Sequence, residues 1–214
     1  FAMAHANLGN IFKDLGKLQE AEKYTRKAIE IDPNIFIAYS NLGGILFDLG
    51  ELEEAEKYAR KAIKINPNFS MANSNLAIIL LEFGKLEEAE TIIRKAIKLN
   101  SDSPNSNYIL GLILRKIGKL EEAKLFTLKA IKLNPNFAEA FLNLGLISKD
   151  FGKKEEALLN IRKAIKIKSD FAEAYHALGI LHNNTERLDD AIASFKKAFE
   201  LGIDHKRFIA QIGR

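Results

Sequence analysis

The chain repeats with a period of 34 residues, and the register never slips. Leu8-Gly9 returns as Leu42-Gly43, Leu76-Ala77, Leu110-Gly111, Leu144-Gly145 and Leu178-Gly179. The same step carries Ala21 through Ala55, Ala89, Ala123, Ala157 and Ala191, and Ala28 through Ala62, Ala96, Ala130, Ala164 and Ala198. A fixed period of this length marks stacked supersecondary units, none of which can bury its apolar face without a neighbour. It predicts one elongated array, and favours a surface for binding over a pocket for chemistry.

Residues 36–69 show how the period becomes structure. Ala38, Tyr39, Leu42, Ile45, Leu46 and Leu49 recur at helical spacing. Gly50 follows where a left-handed C-cap belongs. Leu52, Ala55, Tyr58, Ala59, Ala62, Ile63 and Ile65 mark a second helix, which Pro67 ends because proline lacks an amide donor. Asn68 is then a candidate N-cap for the next helix. Glu53 and Glu54 open the second helix and Lys61 and Lys64 lie near its end, as the helix dipole prefers. Glu22–Arg26, Glu56–Arg60 and Glu90–Arg94 are spaced as i,i+4 pairs worth about 0.2–0.5 kcal/mol each, and read as a solvated outer face. Gly43, Ala55 and Ala62 are small so that neighbouring helices can approach closely.

Asn-Leu-Gly, a Gly seven residues later, then Ala, Ala and Pro: this pattern resembles the tetratricopeptide repeat. Tyr39, Leu42, Gly43, Ala55, Ala62 and Pro67 stand where that family has its aromatic, Leu, Gly, Ala, Ala and Pro. The resemblance implies an all-α fold, a right-handed superhelical solenoid of stacked antiparallel helix pairs. The first helix of each pair would line the concave surface. The units are 2–35, 36–69, 70–103, 104–137, 138–171 and 172–205, and 206–214 reads as the start of a seventh unit or a terminal helix. Departures fall at Ala77, at Pro104, which reads as the first turn of a helix, and at Lys168-Ser169-Asp170. Asn183-Asn184-Thr185-Glu186 replaces the loop Gly of the other units, which predicts a looser or differently shaped turn. The ending part-way through a helix reads as a fragment of a longer protein or a short terminal helix. Phe1 and Met3 at one end, and Phe208, Ile209 and Ile212 at the other, predict self-association through the terminal repeats.

In the second unit the concave positions implied by the family are Ile37, Ser40, Asn41, Gly44, Phe47 and Asp48. Their equivalents form three stripes. Asn7, Asn41, Asn75 and Asn143 form the first, broken by Ile109 and Ala177. Amides could hold an extended peptide backbone, and the row resembles the asparagine ladder in the tetratricopeptide arm of O-GlcNAc transferases. The other reading is that these amides bridge helices. Ile78, Leu112, Leu146 and Ile180 form an apolar stripe, flanked by Phe47, Leu81, Tyr108, Ile109 and Leu142. This is either an interaction patch or a row buried by tight curvature. Arg115, Lys116 and Lys149, with Lys13 further off, form a basic stripe interrupted by Asp48, Glu82 and Asp150. The candidate peptide site is therefore Asn7, Asn41, Asn75, Asn143, Phe47, Ile78, Leu81, Tyr108, Leu112, Leu146, Arg115 and Lys149. It suits a peptide or protein segment with apolar anchors and an acidic group. The family's carboxylate clamp for chaperone tails would need Lys, Asn, Asn, Lys and Arg where Ala6, Asn10, Asn41, Met71 and Asn75 stand; only its asparagine places are matched, so that partner is disfavoured.

Composition narrows the alternatives. There are no cysteines, which removes disulfides and thiolate metal sites and leans towards a reducing, cytoplasmic setting. The 32 basic and 28 acidic residues are mixed along the chain, which disfavours a nucleic-acid footprint. The longest uninterrupted apolar run, 76–81, is too short to span a bilayer, and no signal-peptide pattern opens the chain. No phosphate-cradling loop is present. Glu173 and His176 could form half of a carboxylate–histidine metal pair, but no second pair exists, so a polar groove is the better reading. His182 stands at a packed interface position. No catalytic residue, cofactor or metal is expected. The favoured function is a non-catalytic binding scaffold. The alternative is the substrate-recruiting arm of a glycosyltransferase or sulfotransferase whose catalytic domain lies outside this chain, and an RNA-binding repeat is a lesser one.

Overall fold

The computed structural model describes residues 1–203. The expected seventh unit or terminal helix at 206–214, with Phe208, Ile209 and Ile212, lies outside the described residues. Among those described there are twelve α-helices and no strand. In chain order they are α1 (Ala2–Asp14), α2 (Leu18–Ile31), α3 (Phe36–Leu49), α4 (Leu52–Ile65), α5 (Ser70–Glu82), α6 (Leu86–Leu99), α7 (Pro104–Ile117), α8 (Leu120–Leu133), α9 (Ala138–Asp150), α10 (Lys154–Ile167), α11 (Ala172–Asn183) and α12 (Leu188–Glu200).

They fall into two compact units, the first Phe1–Ile117 and the second beginning at Gly118. In the first, α1 packs on α2, α3 on α4 and α5 on α6, while α1, α3, α5 and α7 also touch in succession and form an inner layer. In the second, α9 packs on α10 and α11 on α12, and α9 touches α11.

Small residues set how closely each pair packs. A Cβ on Gly43 would lie 3.2 Å from the Ala55 carbonyl oxygen and 3.2 Å from the Ala59 nitrogen. One on Gly145 would lie 2.7 Å from Ile161 Cγ1. Leu42, Ile45, Leu46, Ile79, Leu80, Ile113 and Leu114 fill the first unit's core, fully removed from solvent, and Ile147 and Ile161 do so in the second.

Gly50 ends α3 in the left-handed region at φ 83°, donating to the Phe47 carbonyl at 3.0 Å, while Glu51 donates to Leu46 at 2.8 Å. This double bond is the Schellman ending. Glu186 occupies the same register position in the last repeat and adopts φ 59°. Its amide donates to Asn183 at 3.2 Å and that of Arg187 to His182 at 3.1 Å. The expected looser turn is therefore corrected: packing of α11 on α12 imposes the same turn on a residue whose Cβ resists it, at about 1 kcal/mol.

A second correction concerns the junctions. Asn68 does not cap α5, whose N-cap is Phe69 without a side-chain bond. Instead the Asn66 Oδ1 accepts from the Asn68 amide at 3.1 Å. Asp32, Asn100 and Asn134 close the same turn onto Asn34, Asp102 and Asn136. Asn66 is extended, at φ −132° and ψ 94°, as suits a residue before proline, and Asn100 is extended too without one, so in both the short side chain reaches two residues forward. Pro104 does begin α7, as its position predicted.

Candidate functional site

Residues three or four apart share a helix face. On α5, Ile78 and Leu81 are half-buried while Ile79 and Leu80 are buried against the core. On α7, Tyr108, Leu112 and Arg115 fall on one face and are half-buried, whereas Ile109 is only 2% exposed and leaves the flanking set. Phe47 on α3 is half-buried as well. The inner layer of the first unit thus carries half-buried Phe47 on α3, Ile78 and Leu81 on α5, and Tyr108, Leu112 and Arg115 on α7. In the second unit, Leu146 and Lys149 share a half-buried face of α9, Ile180 on α11 is half-buried, and Leu142 is buried.

The asparagine row behaves differently from a peptide ladder. Asn41 donates through Nδ2 to the Ala6 carbonyl at 3.4 Å, bridging α3 to α1. Asn75 donates to the Ser40 carbonyl at 3.0 Å and to its Oγ at 3.2 Å, bridging α5 to α3. Asn143 is 1% exposed and donates to the Thr127 Oγ1 at 2.9 Å, between α9 and α8. Asn143 is therefore interior and cannot touch a ligand on an open face. Only Asn7, on α1, is exposed.

Sequence reasoning missed a hydroxyl chain. The Ser74 and Ser106 Oγ atoms lie 2.8 Å apart, joining α5 to α7 in the buried layer, and Ser106 donates on to the Ser103 Oγ at 2.9 Å. The available signal was Ser103 itself, which stands where Ile35, Phe69, Phe137 and Phe171 fill the equivalent position.

The basic stripe also changes. Lys13 Nζ pairs with Asp48 Oδ2 at 3.2 Å across α1 and α3, so its charge is balanced within the layer. On the outer side, Arg26 donates to Glu22 at 2.7 Å, to Glu54 at 3.0 Å and to the Tyr58 hydroxyl at 3.0 Å. Burial opposes its charge, but these bonds outweigh it and raise the guanidinium above its ordinary value. Arg60 repeats the pattern onto Glu56 and Glu88, each at 2.7 Å, and Lys85 joins Glu56 at 3.1 Å. Burial works against ionised Glu56, yet the bonds from Arg60 and Lys85 hold it below the usual carboxylate range.

His176 is 3% exposed and lies against Phe195, ring centroids 5.6 Å apart, while Glu173 is exposed. The two do not share a groove, which corrects the pairing suggested by their spacing. Burial pushes His176 below its ordinary pKa. His182 is buried with Nδ1 3.5 Å from the Ser194 Oγ, an interface position. Among the described residues no three His, Cys, Asp or Glu side chains gather to hold a metal, and no helix is long and apolar enough to cross a membrane.

Paired helices with a partly open inner layer define a helical-repeat protein. Sequence profiles of the tetratricopeptide repeat match residues 2–35, 36–69, 58–91, 104–137, 126–158 and 172–201, and the chain belongs to the tetratricopeptide repeat family. A comparison with curated proteins finds no match. Among solved structures, MamA is 28% identical over 75% of this chain and 94% of its own, with a TM-score of 0.59. YrrB, described as a TPR protein with an unusual peptide-binding site, is 24% identical over 89% of this chain and 98% of its own, with a TM-score of 0.56. A chain of the APC/C hetero-tetramer Cut9–Hcn1 has a TM-score of 0.86 at 16% identity, covering 95% of this chain and 41% of its own.

Proposed function

We propose that this chain is a non-catalytic scaffold that holds a peptide or protein segment on the inner layer of its first unit. One observation carries the reading. Phe47, Ile78, Leu81 and Leu112 stay half-buried on helices whose adjoining apolar residues are sealed from water. Apolar area left in this way is stabilised by a partner that covers it, at about 25 cal/mol per Å². Arg115 and exposed Lys116 lie in the last turn of α7, and an acidic group of the partner would be favoured beside Lys116. Asn41 and Asn75 hold the layer together, so the chemistry offered to a ligand is apolar contact with a cationic edge. In the second unit, Leu146 and Lys149 supply a smaller face of the same character.

A displayed peptide library panned on the wild-type chain tests this. Enriched peptides should carry aliphatic or aromatic anchors beside Asp or Glu. An Ile78→Ser/Leu112→Ser variant should lose them at least about tenfold, since each truncation removes about 1–3 kcal/mol of apolar contact. Unchanged affinity in a variant of unchanged helicity and melting would place the site elsewhere.

Self-association is a second reading with its own observation. Leu188, Ile192 and Phe199 on α12 are 59%, 53% and 74% exposed, and Ile11 on α1 and Leu15 just after it are 54% and 64% exposed. Ile29, Ile63, Ile97, Ile131 and Ile165, at the register position of Phe199, are all half-buried. Concentration-dependent sedimentation is the expected result, and a strict monomer at high concentration would refute it.

A further inference from the structure

A cleft of about 470 Å³ opens on the outer side of the 36–69 repeat, lined by Tyr39, Lys57, Tyr58, Arg60, Lys61 and Lys64. Its floor is aromatic. The Tyr39 hydroxyl donates to the Pro33 carbonyl at 3.2 Å, and the ring stacks on Tyr58 with centroids 6.1 Å apart. Its walls are cationic. Lys61 Nζ sits 5.9 Å from the Tyr39 centroid and Lys57 Nζ 5.8 Å from that of Tyr58, which holds both ammonium groups over ring faces.

Arg60 is neutralised by Glu56 and Glu88, but Lys57, Lys61 and Lys64 make no ion pair among the described residues. They lie three and four residues apart, on one helix face, where like charges repel. The other repeats keep only part of this set: Lys61 and Lys64 recur as Lys95 and Lys98, Lys129 and Lys132, and Lys163 and Lys166, but Lys57 gives way there to Thr91, Leu125 and Leu159. In the first, Glu30 replaces Lys64 and pairs with Lys27 at 3.0 Å; in the last, Glu200 does so and pairs with Lys197 at 3.2 Å. Tyr39 and Tyr58 become His5 and Tyr24, Asn73 and Ile92, Asn107 and Phe126, Phe141 and Asn160, and Tyr175 and Ser194. What the 36–69 repeat alone combines is Lys57 with both tyrosines and the recurring Lys61 and Lys64, and the repeat framework does not require that combination.

We propose that this cleft binds an acidic peptide segment, separately from the inner layer. Two or three Asp or Glu carboxylates meet Lys57, Lys61 and Lys64, and the backbone lies over the tyrosines. From Lys57 to Lys64 is about 10 Å at 1.5 Å per residue, the length of about three extended residues. Glu53, Glu54 and Glu56 begin one turn away and cut the positive surface short. A nucleic-acid backbone gains affinity by neutralising many phosphates in series, so the short patch favours a peptide.

The probe is a fluorescein-labelled peptide with four consecutive glutamates between Gly-Ser flanks, read by anisotropy at low and moderate salt. Wild-type chain should bind saturably, and a Lys57→Gln/Lys61→Gln/Lys64→Gln variant should bind about tenfold more weakly or worse. A Lys57→Arg/Lys61→Arg/Lys64→Arg variant should retain binding, and so should the Ile78→Ser/Leu112→Ser variant. The proposal is overturned by absent saturation in the wild type, or by equal binding in the Gln variant. Loss of the peptide in the Ile78→Ser/Leu112→Ser variant would also overturn it, by assigning binding to the inner layer. A ten-nucleotide single-stranded RNA that binds more tightly than the peptide, through the same lysines, would assign the cleft to nucleic acid instead.

Discussion

Asn75 on α5 gives one amide nitrogen to two oxygens of a single residue, Ser40 on α3, at 3.0 and 3.2 Å. A side chain whose type suggests ligand binding is thereby occupied in joining two inner helices. Asn75→Ala should cost about 1 kcal/mol of stability, the net worth of such a bond, and leave the affinity of inner-layer peptides within about twofold. Paired denaturation and anisotropy measurements check this. A large loss of affinity at unchanged stability would return the amide to the ligand.

Glu186 carries backbone strain that a glycine would relieve. Glu186→Gly should therefore stabilise the chain by about 1 kcal/mol, visible as a higher denaturant midpoint at unchanged m. Gly152→Ala, at φ 76° in the preceding turn, should shift the midpoint the other way.

The close helix approaches predict steep steric penalties. Gly145→Val should destabilise by about 1–3 kcal/mol through overpacking against Ile161. Gly43→Val should do the same against Ala55 and Ala59. Thermal melts of each variant are sufficient, and a neutral result would mean that the pairs can separate without loss.

Burial of His176 couples stability to pH. Its folded pKa lies below the ordinary 6.5, so the unfolded chain binds the proton more readily. The contribution is intact above pH 6.5 and is lost as pH falls from there towards the folded value. The melting temperature should drop between pH 7 and 5, and His176→Phe should flatten that drop. Glu56 and Glu156, both held below 4.5, add a further loss only in the more acidic range.

Intervals along the chain predicted the helix pairs well, because each helix is specified by neighbours three, four and seven residues away. Gly50, Pro104 and the Gly43 contact followed from the same local reasoning. The asparagines did not, because their partners lie in the preceding repeat: Asn41 and Asn75 each bond a residue 35 positions back. Lys13 and Asp48 are likewise distant in sequence, and their proximity depends on α1 packing beside α3. The junction caps were missed for a narrower reason. Asn68 and Asn66 flank one proline, and backbone geometry rather than residue type decides which side chain accepts from an amide further along the chain. Ile78, Leu81 and Leu112 were legible as unusual, and only burial could separate them from Ile109.

The first unit is held by two chemically unlike sets of cross-repeat bonds. Inner helices are tied by uncharged amides and hydroxyls, Asn41 to Ala6, Asn75 to Ser40 and Ser74 to Ser106, with Lys13–Asp48 an ionic link beside them. Outer helices are tied by ions, Arg26 to Glu54 and Arg60 to Glu88. Added salt weakens exposed ionic links far more than uncharged bonds. Ionic strength thus acts unequally on the two sides of one small array: it slackens the outside while the inner layer keeps its spacing. A ligand seated on that layer would meet much the same template in dilute buffer and in brine.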